Sequence, residues 1–129
     1  MEAVMKMNIR RGDIYYTNIE DKGQAVGSEQ SGSRPAVVIQ NDTGNKYSPT
    51  TIVAFITTRQ KRLLPTHVRL HTNSLFYPSI ALLEQIRTVS KDRLGRYIGT
   101  LSDKDMKKID RALEISLELN RKEKKKCTR

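Results

Sequence analysis

Two apolar runs and the eleven residues between them restrict this chain more than any other feature. The first is AVVI (residues 36–39); the second is TIVAFITT (residues 51–58). An unbroken run of β-branched residues marks a strand buried on both faces. The second run alternates, with Ile52, Ala54 and Ile56 on one side and Thr51, Val53, Phe55 and Thr57 on the other. Between them, NDTGNKYSP is dense in turn formers. So short a connection favours an antiparallel pair, because parallel neighbours need a crossover of a dozen residues or more. Hairpin geometry then sets the start of one strand beside the end of the other, which brings Arg34 next to Thr57.

The rest of the chain reads as further strands and one late helix. DIYYTNI (residues 13–19) is a strand opened by Gly12, and residues 20–33 form a long polar loop. The central strand covers residues 35–40, and residues 59–65 form a basic loop. THVRL (residues 66–70) is a half-exposed strand, SIALLEQIRTV (residues 79–89) a longer one, and residues 96–100 a sixth. A helix begins at Ser102, where Ser102 and Asp105 resemble a capping box. Asp103 and Asp105 at its start, with Arg121 and Lys122 past its end, suit the helix dipole. Met106, Ile109, Leu113 and Leu117 form its packing stripe. The expected fold is mainly β with α, a small, strongly bent antiparallel β-barrel with a C-terminal helix docked on it. A chain of 129 residues makes one domain. We divide it into an N-terminal extension (1–8, with Met5 and Met7 as alternative starts), a core (9–120) and a basic tail (121–129).

Charge points to the partner. The net charge is +10, and the tail RKEKKKCTR carries half of it. Lysine-rich ends are often mere solubilising segments, so the basic core is the stronger sign of a polyanionic partner such as nucleic acid. Cys127 is the only cysteine, which rules out an internal disulfide and fits a cytoplasmic protein. No apolar run approaches the ~20 residues of a membrane span. The N-terminus has no apolar stretch of the kind a signal peptide needs.

Most enzyme chemistries lack their residues here. There is no nucleophile elbow, phosphate-binding loop or dinucleotide fingerprint. His67 and His71 are four residues apart near a strand, roughly 13 Å if extended, so they cannot share a metal ion. We expect no metal and no cofactor. His67 is either a substrate contact or an ordinary strand histidine. What remains is a polar loop, GSEQSGS, which delivers Arg34 and Pro35 to the head of a rigid strand beside Thr57. Alone, Thr57 would be an ordinary strand-end hydrogen-bonding residue.

RGDIYY (residues 11–16), GSEQSGSRPAVVIQND (residues 27–42), TIVAFITT and LLEQIRT (residues 82–88) resemble the MazF/PemK-type endoribonuclease toxins of bacterial toxin–antitoxin modules, in the shorter Gram-positive branch. The resemblance runs from about Arg11 to Leu119. It implies a cytoplasmic homodimer with a Src-homology-three-like barrel. It also implies metal-independent cleavage of single-stranded RNA, chiefly mRNA, at short sequences, leaving a 2′,3′-cyclic phosphate and a 5′-hydroxyl. The family's catalytic Arg falls on Arg34 and its catalytic Thr on Thr57. Glu29 is an acid/base candidate. Ser28 and Gln30 in the loop, and Glu84 and Gln85 on a later strand, match RNA-facing positions, and His67 is a further candidate. An antitoxin with an acidic, disordered C-terminal segment would occupy the same groove. EDKGQAV (residues 20–26) and RQKRLL (residues 59–64) depart from the family pattern, so the cleaved sequence does not transfer.

Two other readings remain open at this point. Toxins with a similar barrel block DNA gyrase, but through a Trp-containing C-terminal segment, and this chain has no Trp. A plain RNA-binding module would account for the charge but not for Arg34 with Thr57. It would also expect stacking aromatics, and aromatics are only 5% of the chain. Deleting residues 121–129 is expected to weaken RNA binding mildly and flatten its salt dependence, because tail charges act on phosphates and carry no base information. The cleavage sequence, mapped from 5′ ends, is expected to stay the same.

Overall fold

The computed structural model describes residues 8–19, 33–59 and 62–119. Six strands, β1 (Asp13–Asn18), β2 (Ser33–Val38), β3 (Thr50–Thr57), β4 (His67–Leu70), β5 (Ser79–Ser90) and β6 (Leu94–Thr100), form one sheet in the order β4-β5-β3-β2-β1-β6. Every neighbouring pair is antiparallel. A short helix α1 (Asp42–Tyr47) lies between β2 and β3, and α2 (Asp103–Leu117) closes the described chain.

The two apolar runs pair as expected, with Ala36 opposite Phe55, Val37 opposite Ala54 and Val38 opposite Val53. β2 ends before Ile39 because the N–H groups of Ile39 and Gln40 both point at the carbonyl of Ile52, at 2.8 and 3.3 Å. The connection is not a simple turn. It holds α1, whose six residues are far too few for a helix to persist alone. Asn41 caps it by accepting the Gly44 N–H at 2.7 Å. Buried Asn45 donates to the Gln40 carbonyl at 3.0 Å and accepts from Thr51 Oγ1 at 2.7 Å and from Gln40 Nε2 at 3.0 Å. Lys91 donates to the Asn45 carbonyl. Side chains, not propensity, make this helix.

The sheet buries both faces. On the inner face Ile14, Val37, Ala54, Ile56, Val68, Ala81 and Leu83 pack with Ile109 and Ala112 of α2. On the outer face Tyr15, Ala36, Val38, Val53, Phe55, Val89 and Leu94 form a second cluster. The alternation expected along β3 is therefore the observed one.

β5 bends sharply. Ala54 pairs with Ile86 and Ile56 with Ala81, so two steps along β3 span five along β5. The surplus is a large bulge opposite Phe55, and such bulges turn a strand and increase its twist. The sheet is strongly bent but is not closed by hydrogen bonds into a barrel. β4 and β6 remain its edges among the described residues. The β4–β5 connection spans the gap, with Leu75 on the inner core and Ser74 so close to Gly99 of β6 that a Cβ there would clash.

The RGD stretch is a structural knot. Gly12, at φ 98°, donates to the Val38 carbonyl at 2.8 Å and accepts from the Leu101 N–H at 3.0 Å, a backbone shape that favours glycine. The Arg11 N–H meets Asp42 Oδ1 at 2.7 Å, its Nε the Ile39 carbonyl at 2.8 Å and its Nη2 Asp110 Oδ1 at 2.8 Å. Asp13 is fully buried and accepts from Thr100 Oγ1 at 2.8 Å and from the Arg10 N–H at 3.0 Å. Burial, and secondly the Asp13 charge, push the Tyr15 phenol up.

α2 corrects two details of the sequence reading. Ser102 Oγ accepts the Asp105 N–H at 3.1 Å, as a cap should. The Asp105 carboxylate does not return to Ser102 but accepts the His71 N–H at 2.8 Å and approaches His71 Nδ1 at 3.3 Å. The packing stripe is Met106, Ile109, Ala112 and Leu113. Leu117, expected within it, is 49% exposed, where the helix ends at left-handed Glu118. Removing an acceptor from a buried site costs about 1–3 kcal/mol. Asp105→Ala is therefore expected to lose about that much stability in urea unfolding, and exposed Asp103→Ala much less.

Candidate active site

Arg34 and Thr57 occupy the ends of neighbouring strands. Arg34 lies near the start of β2, where its backbone pairs with buried Thr17 of β1. Thr57 is the last residue of β3 and pairs with Ile80 of β5. The β2–β3 ladder ends at Ala36 and Phe55. The same register carried two residues further sets Arg34 across from Thr57. Alternation puts both on the outer face with Ala36 and Phe55.

The guanidinium does not project freely into water. It is half-buried and stacks over the Phe55 ring, 4.6 Å from the centroid. Burial lowers its pKa from the usual arginine value. Such a group stays charged at neutral pH, and partial desolvation strengthens its attraction for an anion. Thr57 is oriented differently. Its Oγ1 accepts the Arg59 N–H at 3.1 Å, which fixes the oxygen and leaves the hydroxyl proton available to donate.

The β5 bulge brings in a second group. Glu84 accepts from Thr66 Oγ1 at 2.9 Å and from His67 Nε2 at 3.1 Å. His67 Nδ1 accepts the Leu64 N–H at 3.0 Å, so the ring proton must sit on Nε2 and point at Glu84. Both nitrogens of buried His67 are thus engaged within the protein. Desolvation opposes ionisation of Glu84, but the hydrogen bonds from His67, its own backbone and Thr66 outweigh it and hold the carboxyl below the usual glutamate value. Gln85 is exposed beside it. Glu29, Ser28 and Gln30 lie outside the described residues, as do residues 20–26, residues 60–61 of the basic loop, and the tail.

Two clusters therefore emerge, Arg34 with Thr57 and His67 with Glu84. Phe55 was missed as a site residue. Its signal was present: it sits two residues before Thr57 on the same face of an alternating strand. Arg87 joins this side of the sheet opposite Val53, and Arg59 is exposed beyond Thr57. A cleft of about 390 Å³ between β4 and α2, lined by Arg69, Lys108, Arg111 and Ile115 among others, contains neither Arg34 nor Thr57. Among the described residues no three His, Cys, Asp or Glu side chains gather as a metal-ligand set.

Comparison with known proteins identifies the family. The family of PemK-like, MazF-like toxins of type II toxin–antitoxin systems matches residues 10–117. The endoribonuclease MazF of Staphylococcus saprophyticus is 52% identical over 115 residues, covering 87% of this chain and 93% of that protein. An endoribonuclease from a mycobacterial species, solved with its cognate antitoxin, superposes with a TM-score of 0.71 at 27% identity, over 86% of this chain and 96% of that one. A MazE–MazF complex from Deinococcus radiodurans gives a TM-score of 0.73 at 19% identity over 89% and 100% of the two chains, a likeness of fold. With a family match that spans nearly all of the described core and a relative identical at half its positions, this chain belongs to the PemK-like, MazF-like toxins of type II toxin–antitoxin systems.

Proposed function

We propose that this toxin is an endoribonuclease that cuts single-stranded RNA, chiefly mRNA, at short sequences by attack of the 2′-hydroxyl on the adjoining phosphorus. The observation that carries the reading is the placement of a half-buried guanidinium over an aromatic ring and an oriented hydroxyl at adjoining strand ends.

Three needs define the reaction: a base for the 2′-hydroxyl, stabilisation of charge on five-coordinate phosphorus, and a proton for the departing 5′-oxygen. Arg34 meets the second. Its planar fork matches two phosphate oxygens and is held before substrate arrives. Burial lowers its pKa, which also suits it to protonate the 5′-oxygen late in the reaction. Thr57 donates its hydroxyl to a non-bridging oxygen. Glu29 takes the proton from the 2′-hydroxyl. As the new O–P bond forms, the bond to the 5′-oxygen breaks, which leaves a cyclic phosphate and a 5′-hydroxyl. The positive charge comes from Arg34, and no metal ion takes part.

His67 and Glu84 hold each other and serve to fix the approach to β4, while Ser28, Gln30 and exposed Gln85 contact the strand. The active form is a homodimer in the cytoplasm. It is held silent by a MazE-like antitoxin whose acidic, disordered C-terminal segment lies along the RNA groove, where the basic surface attracts it. No helix among the described residues is long and apolar enough to cross a membrane.

Arg34→Ala and Thr57→Ala are each expected to lose cleavage by about 10²–10³-fold, the usual consequence of removing one preorganised donor, while thermal unfolding barely shifts. Near-normal turnover by folded Arg34→Ala protein would sink the assignment. The nucleophile has its own test. An RNA with one 2′-deoxy sugar just 5′ of the scissile phosphate is expected to bind almost as well as all-RNA and to remain uncut, because the attacking oxygen is gone while the other contacts persist. A 5′-phosphate product, or cutting of the deoxy strand, would mean that water attacks instead.

A further inference from the structure

The geometry points to Phe55 as the positioning residue for Arg34: its ring holds the guanidinium by its flat face and leaves the N–H edge free for the phosphate. This rests on the reading of Arg34 as the phosphate-binding group.

The contact follows from register. Ala36 stands directly opposite Phe55, and Arg34 is two residues before Ala36 on the same face. Phe55 and Arg34 are therefore diagonal neighbours, within reach for an aromatic ring and a long side chain. The side chain between them is a single methyl group, so nothing keeps the guanidinium off the ring. The centroid distance of 4.6 Å is well inside the ~6 Å limit for a cation over a π face.

Phe55 makes a firm floor. It is 7% exposed and packs among Tyr15, Ala36, Val38, Val53, Val89 and Leu94. It also stands opposite the β5 bulge, where the ladder gives it no regular partner strand residue. A ring locked in this way restricts a long side chain that otherwise samples many rotamers. The choice of contact surface matters as much as the restriction. An ion pair with a carboxylate would hold the arginine equally still, but it would consume the in-plane N–H groups that a phosphate needs. Stacking uses only the π face. Among the described residues Arg34 has no acidic partner, and Phe55 is the side chain that holds it. The expected outcome of losing the ring's attraction is a lower kcat with KM little changed, since the rest of the strand still binds.

The test replaces Phe55 in the full-length protein with a series of ring-fluorinated phenylalanines, from one fluorine to five. These keep the shape and apolar character of the ring while progressively draining the negative charge from its face. If Phe55 positions Arg34 by cation–π attraction, kcat falls stepwise to about a tenth at full fluorination, KM stays within about twofold, and thermal unfolding stays put. Phe55→Leu, if it folds, falls by at least as much. Arg34→Ala is run in parallel. A flat kcat across the series beside an inactive Arg34→Ala would overturn the role given to Phe55 and leave that of Arg34 standing. An active Arg34→Ala would overturn both.

Discussion

Everything about the site depends on β5 changing register in mid-strand. A two-residue advance on β3 consumes five residues of β5, and side chains on a strand alternate strictly. An odd surplus therefore reverses which positions face the core. Before the bulge Ala81 and Leu83 point inward; after it Ile86 does. Without that reversal one half of β5 would bury its polar residues. The bulge also bends the sheet enough to bring β4 round beside α2. It displays Glu84 where His67 and Thr66 can reach it. β4 and the strand with the bulge are thus joined by a hydrogen-bonded side-chain clasp as well as by their ladder.

The candidate site shows two solutions to one problem, that of holding a charged group still without neutralising it. Glu84 is held through donors, and those hydrogen bonds favour its ionised form against the cost of burial. Arg34 is held through stacking, which spares its donors but leaves desolvation unopposed, and its pKa falls. The first arrangement is saturated and structural. The second leaves the guanidinium edge without an acidic partner among the described residues, which is what the proposed phosphate-binding role needs.

Much of this was readable from the chain. The pairing of β2 with β3, the two faces of β3 and the place of α2 all followed from local pattern, because alternation and helical spacing are local signals. So did the placing of Arg34 and Thr57 at adjoining ends of β2 and β3, since that needed only a short connection. What the sequence hid was decided by particular side-chain contacts that no periodicity encodes. α1 hid within a run of turn formers because Asn45 finds partners in Gln40 and Thr51, which no propensity predicts. Asp105 matched a capping box but was captured by His71, thirty-four residues away. The tautomer of His67 rests on one backbone N–H. The barrel itself was half right: the bend is there, while closure falls to a loop and not to a ladder.

Arg11 illustrates what such a knot means for genetics. It binds β2, α1 and α2 together through three separate contacts, yet none of them is near Arg34 in the sheet. Growth arrest is the phenotype by which a toxin is scored, and survival rewards any lesion. Colonies selected for escape would carry changes at Arg11 alongside changes at Arg34 and look identical on the plate. On the role proposed for Arg34, one class lacks the folded molecule and the other lacks its chemistry. Only the second class still titrates antitoxin, so dominance over the wild-type locus, and not survival, separates residues that build this protein from residues that make it lethal.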